Sequence, residues 1–180
     1  AAEQAPETPE DEFQGEQFKN YRFGPLLWRG TFGHVHRAKD TEADRVAVLE
    51  VASREELAWS AAETAQRLQR ARAAAALNHR NIAKILDGGW EGDRFFVAYD
   101  LPDGQRLPEY MHERVVLSPK EALSVMYQAA SALATAEAKG FVHADLRPAN
   151  FWMLPNGTVK IINFGFPLDP EIAAPRSASM

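Results

Sequence analysis

The chain changes its hydrophobic period at Ser118, and that change constrains the fold more than any other feature. Ser118 is followed by Pro119 and, three residues on from the serine, by Glu121. This is a capping serine, a proline suited to the first helical turn, and the acid that completes a capping box. The Ala-rich run "EALSVMYQAASALATAEAK" carries the helix on until Gly140 stops it. Upstream the pattern differs. "HVHRAKD" (34–40) and "RVAVLEVA" (45–52) are β-rich runs joined by the polar turn "DTEAD", which predicts a hairpin. Residues 54–77 are rich in Ala, Glu, Gln and Arg and hold no Gly or Pro, which predicts one long helix. "NHRNIAKILDGGWEGDRFFVAYD" predicts two further strands around Gly-Gly and Glu-Gly-Asp turns. After Gly140 comes a loop, "VHADLRPAN", then a hairpin made of "FWML" and "VKIIN" around "PNG". Strands with one helix followed by a helical part, with no internal repeat, predict an α+β chain in two lobes, the second unfinished.

Composition narrows the function classes. A length of 180 residues, 46% hydrophobic, suffices for one core or two small lobes. The net charge of −5, with no basic block or basic amphipathic helix, gives nucleic-acid binding no support. With no cysteine there is neither a disulfide framework nor a Cys-based zinc site. No apolar run approaches the ~20 residues of a membrane span, and no signal peptide is visible. Residues 1–17 ("AAEQAPETPEDEFQGEQ") are acidic, Pro-bearing and poor in aliphatics, and read as a disordered linker. The expected divisions are that linker, an N-lobe over 18–101, the start of a C-lobe over 102–165, and an irregular tail over 166–180 that carries three prolines.

The loop carries a constellation with chemistry in it: His143, Asp145, Leu146 and Asn150, then, thirteen positions after Asn150, Asn163-Phe164-Gly165. Upstream stand Trp28-Arg29-Gly30-Thr31-Phe32-Gly33-His34-Val35 and Val46-Ala47-Val48-Leu49. In this order the residues resemble the eukaryotic-type protein kinase family, whose catalytic loop reads His-Arg-Asp-Leu-x-x-x-Asn. The resemblance runs over about residues 20–165 and implies a protein-kinase-like bilobal fold, with a β-rich N-lobe and a truncated helical C-lobe. No Ala-Pro-Glu motif follows at a family spacing. In the family the loop aspartate accepts the substrate hydroxyl proton and the asparagine holds a second magnesium. Asp145 and Asn150 occupy those places.

Other family positions depart from the pattern. Ala144 replaces the arginine that meets a phosphorylated activation loop. Asn163 replaces the magnesium-chelating aspartate, and hard divalent cations want carboxylates. Aligned on Val-Ala-Ile-Lys, the phosphate-holding lysine becomes Leu49, a core residue filling the vacated space. Neither Lys39 nor Lys84 lies at a register that replaces it. Counting back from Asn78, the helix glutamate that pairs with the lysine becomes Arg70, and Glu63 reads as a surface charge. Gly30 and Gly33 survive from the glycine loop, with Trp28 in place of the first glycine. Trp152 stands where the family has an aliphatic floor for adenine, and is expected to fill adenine space with Val35 and Ala47 or to be an ordinary strand tryptophan. Losing lysine, glutamate and magnesium carboxylate together removes on the order of 6–10 kcal/mol of transition-state stabilisation. Asp145 then reads as a structural group, bonded to backbone amides and Asn150.

The resemblance thus implies a pseudokinase: a regulatory interaction scaffold, not an enzyme, with no ATP or magnesium expected. Its wording is nearest bacterial, notably actinobacterial, Ser/Thr kinases. Within that group a kinase-homology region is attached to the cytosolic side of a cell-wall lipid II flippase, so the implied setting is the cytoplasmic face of a membrane protein and peptidoglycan synthesis. The implied partners are an active Ser/Thr kinase and a phosphothreonine-reading forkhead-associated (FHA) domain, with Thr8, Ser177 and Ser179 as candidate phosphosites. The alternatives are an atypical ATP-binding kinase with residual phosphotransfer through Asp145, for which Arg29 and Arg147 are the candidate cleft cations, and a small-molecule phosphotransferase, which the "HADLRPAN" loop fits less well.

Overall fold

The computed structural model describes residues 13–114 and 116–164. Thr8, Ser177, Ser179 and most of the expected linker and tail lie outside the described residues. Six strands form the first sheet: β1 (Gln17–Phe18), β2 (Tyr21–Arg29), β3 (His34–Asp40), β4 (Arg45–Ser53), β5 (Lys84–Glu91) and β6 (Arg94–Asp100). They pair antiparallel in the order β1-β2-β3-β4-β6-β5. Strand β2 tolerates Pro25 because its register slips between Phe23 and Leu26, where a missing N–H breaks no regular ladder. The expected turn at Gly88-Gly89 is instead strand: both residues pair with β6, and the chain reverses at Gly92, whose φ of 61° suits glycine.

Order begins earlier than expected. Phe13 packs its ring 5.6 Å from those of Phe23 and His36, and Glu16 pairs with Arg94 at 2.8 Å. The end of the acidic segment is therefore held by aromatic contact.

The single helix expected over 54–77 is two: α1 (Arg54–Leu57) and α2 (Ala61–Ala75). Each starts in a complete capping box, Ser53 with Glu56 and Ser60 with Glu63. Between them Ala58 sits in the left-handed region and Trp59 turns in against Phe32 and Phe95. Glu63, expected as a surface charge, is a cap residue.

Beyond Asp100 a short strand β7 (Gln105–Arg106) leads into α3 (Leu107–Arg114), which the sequence reading left unassigned. Helix α4 (Pro119–Glu137) begins at the Ser118 box as expected. The hairpin is β8 (Phe151–Met153) and β9 (Val159–Ile161), and the second sheet is ordered β7-β8-β9. Segment 81–83 fastens this sheet to the first lobe: Ile161 donates to the Asn81 carbonyl and Ala83 donates to that of Ile161. Asn81 also donates to the Val159 carbonyl and to Gln128 on α4. The cleft between the lobes is thus floored by β8, β9 and the loop before them, and roofed by β2, β3 and β4.

Candidate functional site

Strand β4 is apolar on both faces, so its side-chain parity decides what the roof presents. Leu49 is fully buried among Phe18, Tyr21, Phe23, Ala47 and Phe96, on the face away from the cleft. Ala47 lies with it. The cleft face belongs to Val48, Glu50 and Ala52. The alignment on Val-Ala-x-x is therefore one residue short: Glu50 takes the lysine's place, and Val48 takes the place expected of Ala47. Glu50 is paired across the sheet with Val35 and Val97 and is 1% exposed.

The glycine loop closes over this carboxylate. Gly30 donates to the Gly33 carbonyl at 2.7 Å, making a tight turn. The Phe32 and Gly33 amides donate to Glu50 Oε1 at 2.7 and 3.3 Å, and the Thr31 amide adds a further bond. A Cβ on Gly30 would stand 2.3 Å from the same oxygen, and one on Gly33 2.0 Å from the Val51 carbonyl. Gly30 thus leaves room for the carboxylate, and Gly33 lets the loop lie against the β4 backbone. Burial pushes the Glu50 carboxyl up to about 7, against the pull of the loop amides and of the Arg147 charge.

Asn163 holds the two lobes to each other. It sits at φ 65°, a left-handed conformation that asparagine tolerates. Its Nδ2 donates to Thr31 Oγ1 at 2.7 Å and to Asn150 Oδ1 at 2.9 Å; its Oδ1 accepts from the Tyr99 hydroxyl at 3.1 Å. Roof, back wall and floor meet at one amide. Burial, helped by the Glu50 charge, raises the Tyr99 phenol well above its usual range, so it stays a donor.

On the floor, the expected bond between Asp145 and Asn150 is present, while among the described residues no backbone amide donates to the Asp145 carboxylate. Asn150 donates to the Asp145 carbonyl at 2.7 Å and to its Oδ2 at 3.1 Å. Arg147 Nε lies 3.3 Å from the same carboxylate. His143 bonds the Ile162 carbonyl through Nε2 and accepts from the Asp145 amide through Nδ1, which fixes one neutral tautomer; burial lowers its pKa.

Trp152 fills the other end. It is buried, its indole N–H donates to the Pro102 carbonyl at 3.0 Å, and its ring lies 5.5 Å from that of Trp28. The cavity left beside it, lined by Val46, Val48, Leu101, Gly104 and Trp152 among others, holds about 190 Å³. Ligand sites run from about 300 Å³ upward. On α2 the inward-facing basic residue is Arg67, stacked 4.4 Å over Trp59, with Arg70 half-buried beside it. Arg29 is exposed, and Lys39 pairs with Asp44 at the surface. Of the candidate cations, the structure brings only Arg147 into the cleft.

Glu50, Tyr99 and Thr31 were missed from sequence. The signal for Glu50 was present: it is the one charged residue in an otherwise apolar strand interior.

Comparison with known proteins places these features in a lineage. The protein kinase domain family matches residues 21–171. The serine/threonine-protein kinase PrkC of Bacillus subtilis is 33% identical over 149 residues, covering 81% of this chain and 22% of that protein. The kinase pkn3 of Myxococcus xanthus is 34% identical, covering 88% and 30%. The crystal structure of the Mycobacterium tuberculosis PknI kinase domain superposes with a TM-score of 0.73 at 28% identity, covering 84% of this chain and 61% of that one. The chain spans less than a third of these curated relatives. With its two-lobed fold, glycine loop and His-x-Asp-Leu loop in family order, the chain belongs to the protein kinase domain family.

Proposed function

We propose that this chain is a pseudokinase, a kinase-fold interaction module without phosphotransfer. The single observation that carries the reading is the Glu50 carboxylate inside the glycine loop. Those amides cradle nucleotide phosphates in kinases; here they are spent on the protein's own carboxylate. A triphosphate at the same place would meet a buried acid instead of a lysine. Asn163 offers a magnesium ion one neutral oxygen, already bonded to Tyr99, and Trp152 occupies the space for a base. These residues do not fit a magnesium nucleotide, and no catalytic step is derived through one.

On this reading the outer surface, not the cleft, serves function. The chain is then a regulatory scaffold phosphorylated by an active Ser/Thr kinase and read by an FHA domain. Thr8, Ser177 and Ser179 are the candidate acceptors, and cell-wall peptidoglycan synthesis beneath the membrane is the setting. The competing reading, residual phosphotransfer through Asp145, draws on relatives named as kinases and on the intact Asp145–Asn150 pair. Incubation with radiolabelled ATP, alone and with an active bacterial Ser/Thr kinase, separates the two. The proposal expects no incorporation alone, incorporation with the kinase, and capture of the product by an FHA domain. Incorporation by the chain alone that Asp145→Asn abolishes would establish phosphotransfer and end the proposal.

A further inference from the structure

We infer that Glu50 is a proton-operated clasp on the glycine loop: ionised it holds residues 31–33 down over the cleft, and protonated it releases them. The inference rests on the proposed self-occupied cleft and adds a regulation to it.

The geometry supplies the clasp. Oε1 gathers the amides of Phe32 and Gly33; the Gly30 to Gly33 backbone bond, the Asn163 to Thr31 side-chain bond and the Phe32 ring packed against Trp59 and Phe95 also hold the loop. Hydrogen bonds to an ionised acceptor are roughly twice as strong as neutral ones. Protonation thus weakens the amide bonds together without moving a heavy atom. The surroundings make the change accessible. Cross-strand neighbours Val35 and Val97 exclude water, and the back wall offers Tyr99, a neutral phenol. From the floor Arg147 faces it, but shares its charge with Asp145. On the neighbouring helices, Glu56 of α1 is engaged with Ser53 and Arg67 of α2 is stacked on Trp59. Burial then brings the carboxyl to about 7, within the range cells use.

The test is an NMR titration from pH 5.5 to 8.5, following the Glu50 carboxyl carbon and the Phe32 and Gly33 amides. The carboxyl carbon and both amides should titrate together near pH 7. Amide protection, corrected for intrinsic exchange, should fall about tenfold on the acid side. The amide titration should vanish in Glu50→Gln and persist in His34→Gln, which removes the imidazole that follows Gly33 in the chain. A flat carboxyl signal, or amide titration that His34→Gln abolishes, would overturn the inference. The carboxyl and amide readings on the native chain need no variant, so together they decide the matter even where Glu50→Gln does not fold. A negative result leaves the pseudokinase reading standing, because that reading is judged by phosphotransfer and nucleotide binding.

Discussion

The roof and floor of the cleft have diverged by different amounts. On the floor, His143, Asp145 and Asn150 are bonded to one another and to the backbone, with Ala144 and Asn163 in place of the family residues. On the roof the charge has changed sign: an acid stands where a lysine is expected, and the glycine loop has been turned to hold it. The difference teaches that a loop of catalytic type is also a structural joint. Asn150 and His143 satisfy buried backbone groups that would otherwise be orphaned, and that need does not depend on a substrate. On the roof the same need, that of the loop amides, is met by Glu50.

The comparison is sharpened first by parity. Leu49→Lys places a charge among Phe18, Phe23 and Phe96 on the closed face and should cost more than about 4 kcal/mol in denaturant unfolding. Little loss there would return Leu49 to the cleft.

Next comes Trp152→Ala, which removes the indole from its stack with Trp28 and its bond to Pro102. It should cost about 3–5 kcal/mol by chemical denaturation.

The roof acid adds a pH dependence. Its folded-state pKa is raised from 4.5 to about 7, so the folded state binds the extra proton and stability falls as pH rises through that window. Relative to Glu50→Gln, the native chain should lose about 3 kcal/mol between pH 4.5 and 7 and then level off. A pH-independent difference would mean that the carboxylate is solvated.

The smallest effect belongs to the floor. Asp145→Asn keeps one acceptor for Asn150 and loses the charge beside Arg147, for about 1 kcal/mol. A cost as large as that of Trp152→Ala would make the floor, not the roof, the centre of the site.

Legibility followed the same division. Helix α4 and strands β3 and β4 stood out because caps and turns are local chemistry, readable at Ser118, Pro119 and Glu121. The break at Ala58 was also written locally, as Ser53/Glu56 and Ser60/Glu63, but helix propensity across 54–77 masked it. Glu50 stood out as the one charge in an apolar strand interior, but the face it takes was hidden. A strand buried on both faces has no alternation to reveal its parity, so Val-Ala-Val-Leu matched the family string one residue too early. Only the pairing of Val35 with Glu50, and the loop amides closing on its carboxylate, resolve it.

Isothermal titration with magnesium-ATP tests the central claim most directly, with the native chain beside a Glu50→Lys, Asn163→Asp, Trp152→Leu variant. If Glu50 and Trp152 fill the cleft, the native chain shows no saturable heat up to about 5 mM nucleotide, and the variant gains binding. Saturable micromolar binding by the native chain would contradict the account.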